Sequence, residues 1–259
     1  MPYVTQTTLS PLYPELIWNK PETKALAGKL LIIGGNSHSI AAPNEAYRIA
    51  INKGAGEVRV VLPDAAKRYF PRTATPDIMF APSTPSGSFA KEAVTTLLQY
   101  AEWADIIYLA GDMSKNSETT MALIDFCTHI STMLVVEGEN LDSFIDTPHL
   151  LLHRKSTLIV PQFTQLQKIA MNIGVAEPLT ATMPLKALVT WLEAFSNDYS
   201  ASVLLSYNHA VYVACRGQVS ITKPIESPPS SQIIAITAAV WAMQQPSQLF
   251  KAITTSITQ

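Results

Sequence analysis

The chain has 259 residues, 47% of them hydrophobic and only 15% charged, with a formal net charge of -2, so it can bury one large core and has no basic run that would favour nucleic acid. Cys127 and Cys215 are too few for a disulfide framework and have no metal-ligand spacing; residues 1–20 lack the basic start and apolar centre of a signal peptide, so the expected compartment is the reducing cytoplasm. No membrane partner is expected, because the longest apolar-leaning stretch, Ile233 to Met243, is too short to span a bilayer and contains Thr237.

Residues 1–27 read as a helical or extended arm, and residues 28–259 as one domain without a dividing linker. Lys29–Ile33, Glu57–Leu62, Asp105–Ala110, Thr132–Glu137 and Thr157–Val160 are short, nearly all-apolar runs, the pattern of strands covered on both faces of a parallel sheet. Helical patterns separate them. Ser88–Trp103 spaces Phe89, Ala93, Leu97, Leu98 and Ala101 on one stripe, and Ser117–Ile130 does the same with Met121, Ile124 and Cys127. Thr164 reads as the N-cap of a helix over Leu166–Ile173, with Gly174 as its C-terminal glycine. Val203–Leu205, Ala210–Ala214 and Gln218–Thr222 predict a β-meander, followed by helices over Ser230–Met243 and Pro246–Ile257. Thr73–Ser88 and Ser227–Ser231, rich in Pro, Ser and Thr, read as surface loops.

The first strand breaks at Gly34-Gly35-Asn36-Ser37, and a helix then leads through Gly54-Ala55-Gly56 to the second strand. This is a βαβ unit, but its loop has neither the Lys-Ser/Thr ending of a P-loop nor the spacing of a dinucleotide fingerprint. On its own it reads as a tight turn after a buried strand. Together with Ala41-Ala42-Pro43, where Pro43 and Asn44 would open the helix, and the later glycine pair, the segment resembles the opening of the ADP/ATP-dependent NAD(P)H-hydrate dehydratases, of the ribokinase-like superfamily. The resemblance spans about residues 28–245. It implies a three-layer αβα fold, a mainly parallel central sheet and a C-terminal meander. It also implies ADP or ATP with Mg²⁺ as cofactors, a nicotinamide or adenine nucleotide as ligand, and a homo-oligomer, which the low charged fraction favours too.

Through that resemblance, Gly34, Gly35, Ala42, Pro43, Gly111, Asp112 and Gln162 fall on substrate-cavity positions. Asp112 stands in Ala110-Gly111-Asp112, where the family has G-P-G-L-G; on its own it reads as a turn-capping aspartate. Glu137 and Glu139 take the two acidic positions of D-A-D-A-L. At i and i+2 on a strand they would point to one side and could hold Mg²⁺ through water, or simply form a solvated acidic strand end. Gln162 and Gln165 replace the histidine and glutamate of T-P-H-P-G-E, which keeps hydrogen bonding and discards titration.

The nucleotide positions depart further. Ser206 stands where the family has a lysine before its hairpin. Pro229-Ser230-Ser231-Gln232 lies on G-T-G-D, so Ser230 and Ser231 replace parts of a glycine phosphate cradle and Gln232 takes the place of the catalytic aspartate. A glutamine cannot exchange a proton at neutral pH, and no aspartate follows Asp198. Three functions stay open: a divergent dehydratase, a non-catalytic relative kept for nucleotide binding or for packing against a partner or its own copies, and a small-molecule kinase. The kinase would need the same absent aspartate.

Overall fold

A computed structural model describes residues 3–70, 77–113, 116–175, 177–223 and 229–259. Its strands are β1 (Tyr3–Gln6), β2 (Lys29–Gly34), β3 (Glu57–Pro63), β4 (Ile78–Ala81), β5 (Ile106–Ala110), β6 (Met133–Glu137), β7 (Thr157–Val160), β8 (Ser202–Tyr207), β9 (Ala210–Cys215) and β10 (Gln218–Thr222). The helices are α1 (Glu15–Trp18), α2 (Ala41–Asn52), α3 (Ala93–Ala101), α4 (Ser117–His129), α5 (Glu139–Asp142), α6 (His149–Leu152), α7 (Phe163–Asn172), α8 (Leu185–Asp198), α9 (Ser231–Gln244) and α10 (Leu249–Ser256).

All the strands form one sheet in the order β1-β10-β9-β8-β7-β6-β5-β2-β3-β4. The pairings make β9 the one strand that runs against the rest, so the sheet is mainly parallel with a C-terminal meander, as expected. The five apolar runs all lie in its parallel part.

Period-two alternation on β2 explains the layering. Leu31 and Ile33 join Phe89, Leu97, Phe126 and Leu192 in one core, while Leu30 and Ile32 join Ala46, Ala50, Ile236 and Val240 in the other. Helices α3, α4, α7 and α8 therefore cover one face, and α2, α9 and α10 the other. Helix α9 is buried without interruption from Ile234 to Met243, which explains why it has no polar stripe: it packs between the sheet, α2 and α10.

The chain differs from the sequence reading in several places. Within the expected arm, Tyr3–Gln6 forms β1 at the sheet edge, and Gln6 Nε2 donates to Thr222 Oγ1 at 2.8 Å. The expected loop over Thr73–Ser88 contains β4 at the other edge; its residues 73–76 lie outside the described residues, as do 227 and 228 of the second loop. Helix α8 was not expected at all. Helix α7 starts at Phe163 after Gln162, not after Thr164, because Gln165 Oε1 accepts from the Gln162 backbone N–H at 2.9 Å. Helix α2 opens at Ala41, two residues before Pro43, which the first turn tolerates because its missing N–H has no intrahelical partner.

Candidate functional site at the strand ends

After β2 the chain builds β3 and β4 to one side, then returns to place β5, β6 and β7 on the other. The C-terminal ends of β2 and β5 thus flank a topological switch point, the usual ligand crevice of an open α/β sheet.

The glycines there are required by contacts inside the protein. A Cβ on Gly34 would lie 2.0 Å from the Ala110 carbonyl oxygen, and one on Gly111 would lie 2.4 Å from Ala42 Cβ. Gly35 has a φ of 74° and donates its N–H to Ala110 O at 3.3 Å. These residues let the β2 and β5 loops close on each other and on the start of α2. Asn36, which is buried, fixes the arrangement: its Oδ1 accepts from the N–H groups of His38 at 2.8 Å and Ser39 at 3.0 Å, and its Nδ2 donates to Asp112 O at 3.0 Å. Asp112 is exposed, on a cleft of about 550 Å³ shared with Ser117, Glu139, Asp142 and Asp146.

Glu137 ends β6 and is only 6% exposed. Tyr108 Oη donates to its Oε1 at 3.0 Å, and Ser231 Oγ donates to its Oε2 at 3.0 Å. Burial pushes the Glu137 carboxyl above the usual carboxylate range, while the bonds from Ser231 and Tyr108 oppose that shift. Burial, then the charge of Glu137, pushes the Tyr108 phenol well up.

The i, i+2 strand argument for Glu139 fails. The strand stops at Glu137, Gly138 turns the chain with a φ of 58°, and Glu139 opens α5 as an exposed residue. Two buried side chains brace this turn. Asn140 Nδ2 donates to Leu109 O at 3.2 Å and Gly111 O at 3.0 Å; Gln165 Nε2 donates to Gly138 O and Asp142 Oδ1, each at 2.9 Å.

Both Glu137 oxygens are occupied by hydroxyl donors, and among the described residues no three His, Cys, Asp or Glu side chains group so as to hold a metal ion. Glu137 is buried and Glu139 is exposed beyond the turn, so the two do not form the one-sided pair that would hold Mg²⁺ through water.

Gln162 is exposed at the start of α7. Ser206 is half-buried on β8, which β7 separates from β6. Ser230 caps α9, its hydroxyl accepting from the Ile233 N–H at 3.3 Å. Ser231 occupies the first position of that helix, and Gln232 Nε2 donates to Ala42 O at 2.7 Å. The start of α9 is thus tied both to the start of α2 and to the end of β6. Sequence reasoning missed Tyr108, Asn36 and Asn140, although each is polar in or beside an apolar strand; it noted Gln165 only as a lost glutamate.

No family model matches the chain. Over 138 residues, 53% of the chain, it is 22% identical to the bifunctional NAD(P)H-hydrate repair enzyme Nnr of Moorella thermoacetica, and the match covers only 26% of that protein. A ribokinase-like superfamily protein from Enterococcus faecalis superposes with a TM-score of 0.72 at 15% identity, covering 98% of this chain and 85% of that one. The ADP/ATP-dependent NAD(P)H-hydrate dehydratase of Bacillus subtilis, co-crystallized with ATP/Mg²⁺, superposes with a TM-score of 0.62 at 11% identity, covering 95% and 86%. Among the described residues no helix is long and apolar enough to cross a membrane. The chain has the ribokinase-like fold, and its sequence is similar to that of the NAD(P)H-hydrate repair enzymes.

Proposed function

We propose that this protein is a divergent, catalytically impaired relative of the NAD(P)H-hydrate dehydratases, which binds an adenine or nicotinamide nucleotide at the ends of β2, β5 and β6. One observation carries the reading. The side chain at the inferred acid/base position, Gln232, is an amide held by the Ala42 carbonyl at 2.7 Å. It has no proton to exchange and is already engaged in holding two helices together. Glu137 is the carboxylate bonded to the start of α9, but it is buried and bonded by two hydroxyls, so it is not presented to a ligand as a free base.

Binding is a weaker demand than turnover. The N-terminus of α9, a 14-residue helix, offers backbone N–H groups of the kind that bind phosphate. The hydroxyls of Ser230 and Ser231 add polarity without charge, and Ser206 supplies none of the positive charge of a lysine. The same loss of a base disfavours a kinase.

Calorimetric titration with ADP, ATP plus Mg²⁺, and NADH tests this. At least one should bind, and Ser231→Glu, which puts a carboxylate at the start of α9, should abolish that binding while the circular dichroism stays native. Absence of heat with all three would overturn the reading.

A second reading, a protein kept for self-association, draws on one observation. Leu9, Trp18 and Leu26 are 95%, 85% and 70% exposed, all within the first 26 residues. Light scattering at tens of micromolar decides it: an oligomer supports self-association, and a monomer removes it.

A further inference from the structure

A second cleft, of about 580 Å³, lies at the opposite end of the sheet, against the starts of β5 and β6 and the turn between β9 and β10. Lys155, Arg216 and Lys251 line it, against one carboxylate, Asp105, whose Oδ2 already accepts from the Lys29 N–H at 2.8 Å. Among the described residues the ion pairs are Arg48–Glu45 and His129–Asp125, so neither Lys155 nor Arg216 is neutralised by a carboxylate in contact. The Lys251 ammonium lies 5.4 Å from the Tyr13 ring centroid. Lys155 and Arg216 also line an adjoining cleft of about 300 Å³, whose carboxylate is Asp198, and so form the ridge between the two.

The backbone supplies an independent observation. Arg216 has a φ of 49° at the first position of the two-residue turn Arg216-Gly217. The preceding hairpin has Asn208 at the equivalent place with a φ of 48°, a residue suited to this conformation. Arginine there costs about 1 kcal/mol of backbone strain. The turn itself does not need a guanidinium.

We propose that this cleft binds a soluble phosphate ester, with the phosphate between Lys155 and Arg216 and an apolar or aromatic body against Met133, Met243 and Phe250. A guanidinium pairs with phosphate through two parallel bonds, and the lysine adds a point charge. The volume falls within the range of small-ligand sites. This site is separate from the strand-end crevice and does not depend on the nucleotide reading.

The test is titration with phenyl phosphate at low salt, watched by calorimetry. The unmodified protein should bind it, and Arg216→Asn and Lys155→Gln should each weaken binding about tenfold or more. Arg216→Asn relieves the turn, so its melting temperature should be unchanged or higher, which separates lost binding from lost folding. Ser231→Glu, at the other end of the sheet, should leave phenyl phosphate binding intact. Absence of binding to the unmodified protein, binding by both cleft variants as tight as that of the unmodified protein, or loss of binding in Ser231→Glu would each overturn the proposal.

Discussion

The Ser231 hydroxyl donates to Glu137 Oε2 at 3.0 Å, joining the first turn of α9 to the end of β6 across 94 positions of sequence. The acceptor is buried, so this bond is worth more than a surface contact. Ser231→Ala leaves that oxygen without its donor and should cost about 1–3 kcal/mol in urea unfolding. Ser230→Ala, which removes only the cap to Ile233, should cost about 1 kcal/mol. Equal, negligible losses would show that the Glu137 contact does not anchor the helix.

Stability should depend on pH through Glu137. Its folded pKa is raised by burial, so between the unfolded and folded values the native state binds the extra proton. Its contribution is therefore fully present below the unfolded pKa and is lost as pH rises through the folded one. Glu137→Gln removes this loss and keeps groups that can bond both hydroxyls. The variant should gain stability relative to the unmodified protein as pH rises from 4 to 8, as read from paired denaturation curves. A difference that is flat with pH would contradict the assignment.

Glycine substitutions separate packing from backbone strain. Gly34→Ala drives a methyl to 2.0 Å from the Ala110 carbonyl, which only a shift of β2 against β5 can relieve, and should cost about 3 kcal/mol or more. Gly174→Ala, at a φ of 71° after α7 with open space around it, should cost about 1 kcal/mol. Comparable losses would mean that the two loops do not hold each other as closely as described.

Gln232→Asp should not restore chemistry. It breaks the bond to Ala42 O, since a carboxylate has no proton to donate, and should cost about 1 kcal/mol of stability. Turnover on hydrated NADH should remain within about tenfold of the unmodified protein, because the rest of the inferred cradle is still altered. A rise of about 100-fold or more would show that the missing aspartate is the whole defect.

The parallel half of the sheet was legible because double-sided burial leaves a plain mark: Leu30, Leu31, Ile32 and Ile33 are consecutive, apolar and inaccessible. Both edge strands were not, because β1 and β4 are short and only one neighbour constrains them. Helix α8 could have been found, since Leu188, Val189, Trp191, Leu192 and Phe195 recur at helical spacing and all are buried. At the strand ends, the motifs marked the loops after β2, β5 and β6 but not which way their side chains face. Gly34 and Gly111 fall on substrate-cavity positions by resemblance, yet a Cβ at either would meet Ala110 or Ala42 inside the protein. That outcome depends on long-range packing, and local spacing carries no trace of it. Glu139 was misplaced for a local reason: β6 ends at Glu137, two residues short of it, and Gly138 turns the chain between them.

The most direct measurement is turnover. Purified protein is incubated with hydrated NADH, ATP or ADP, and Mg²⁺, and recovery of the nicotinamide absorbance is followed beside the Bacillus subtilis dehydratase. With Gln232 held by Ala42 in place of a general acid/base, the rate should fall about two to four decades below that enzyme. A rate comparable to that enzyme's would contradict the account and return the start of α9 to the status of a working active site.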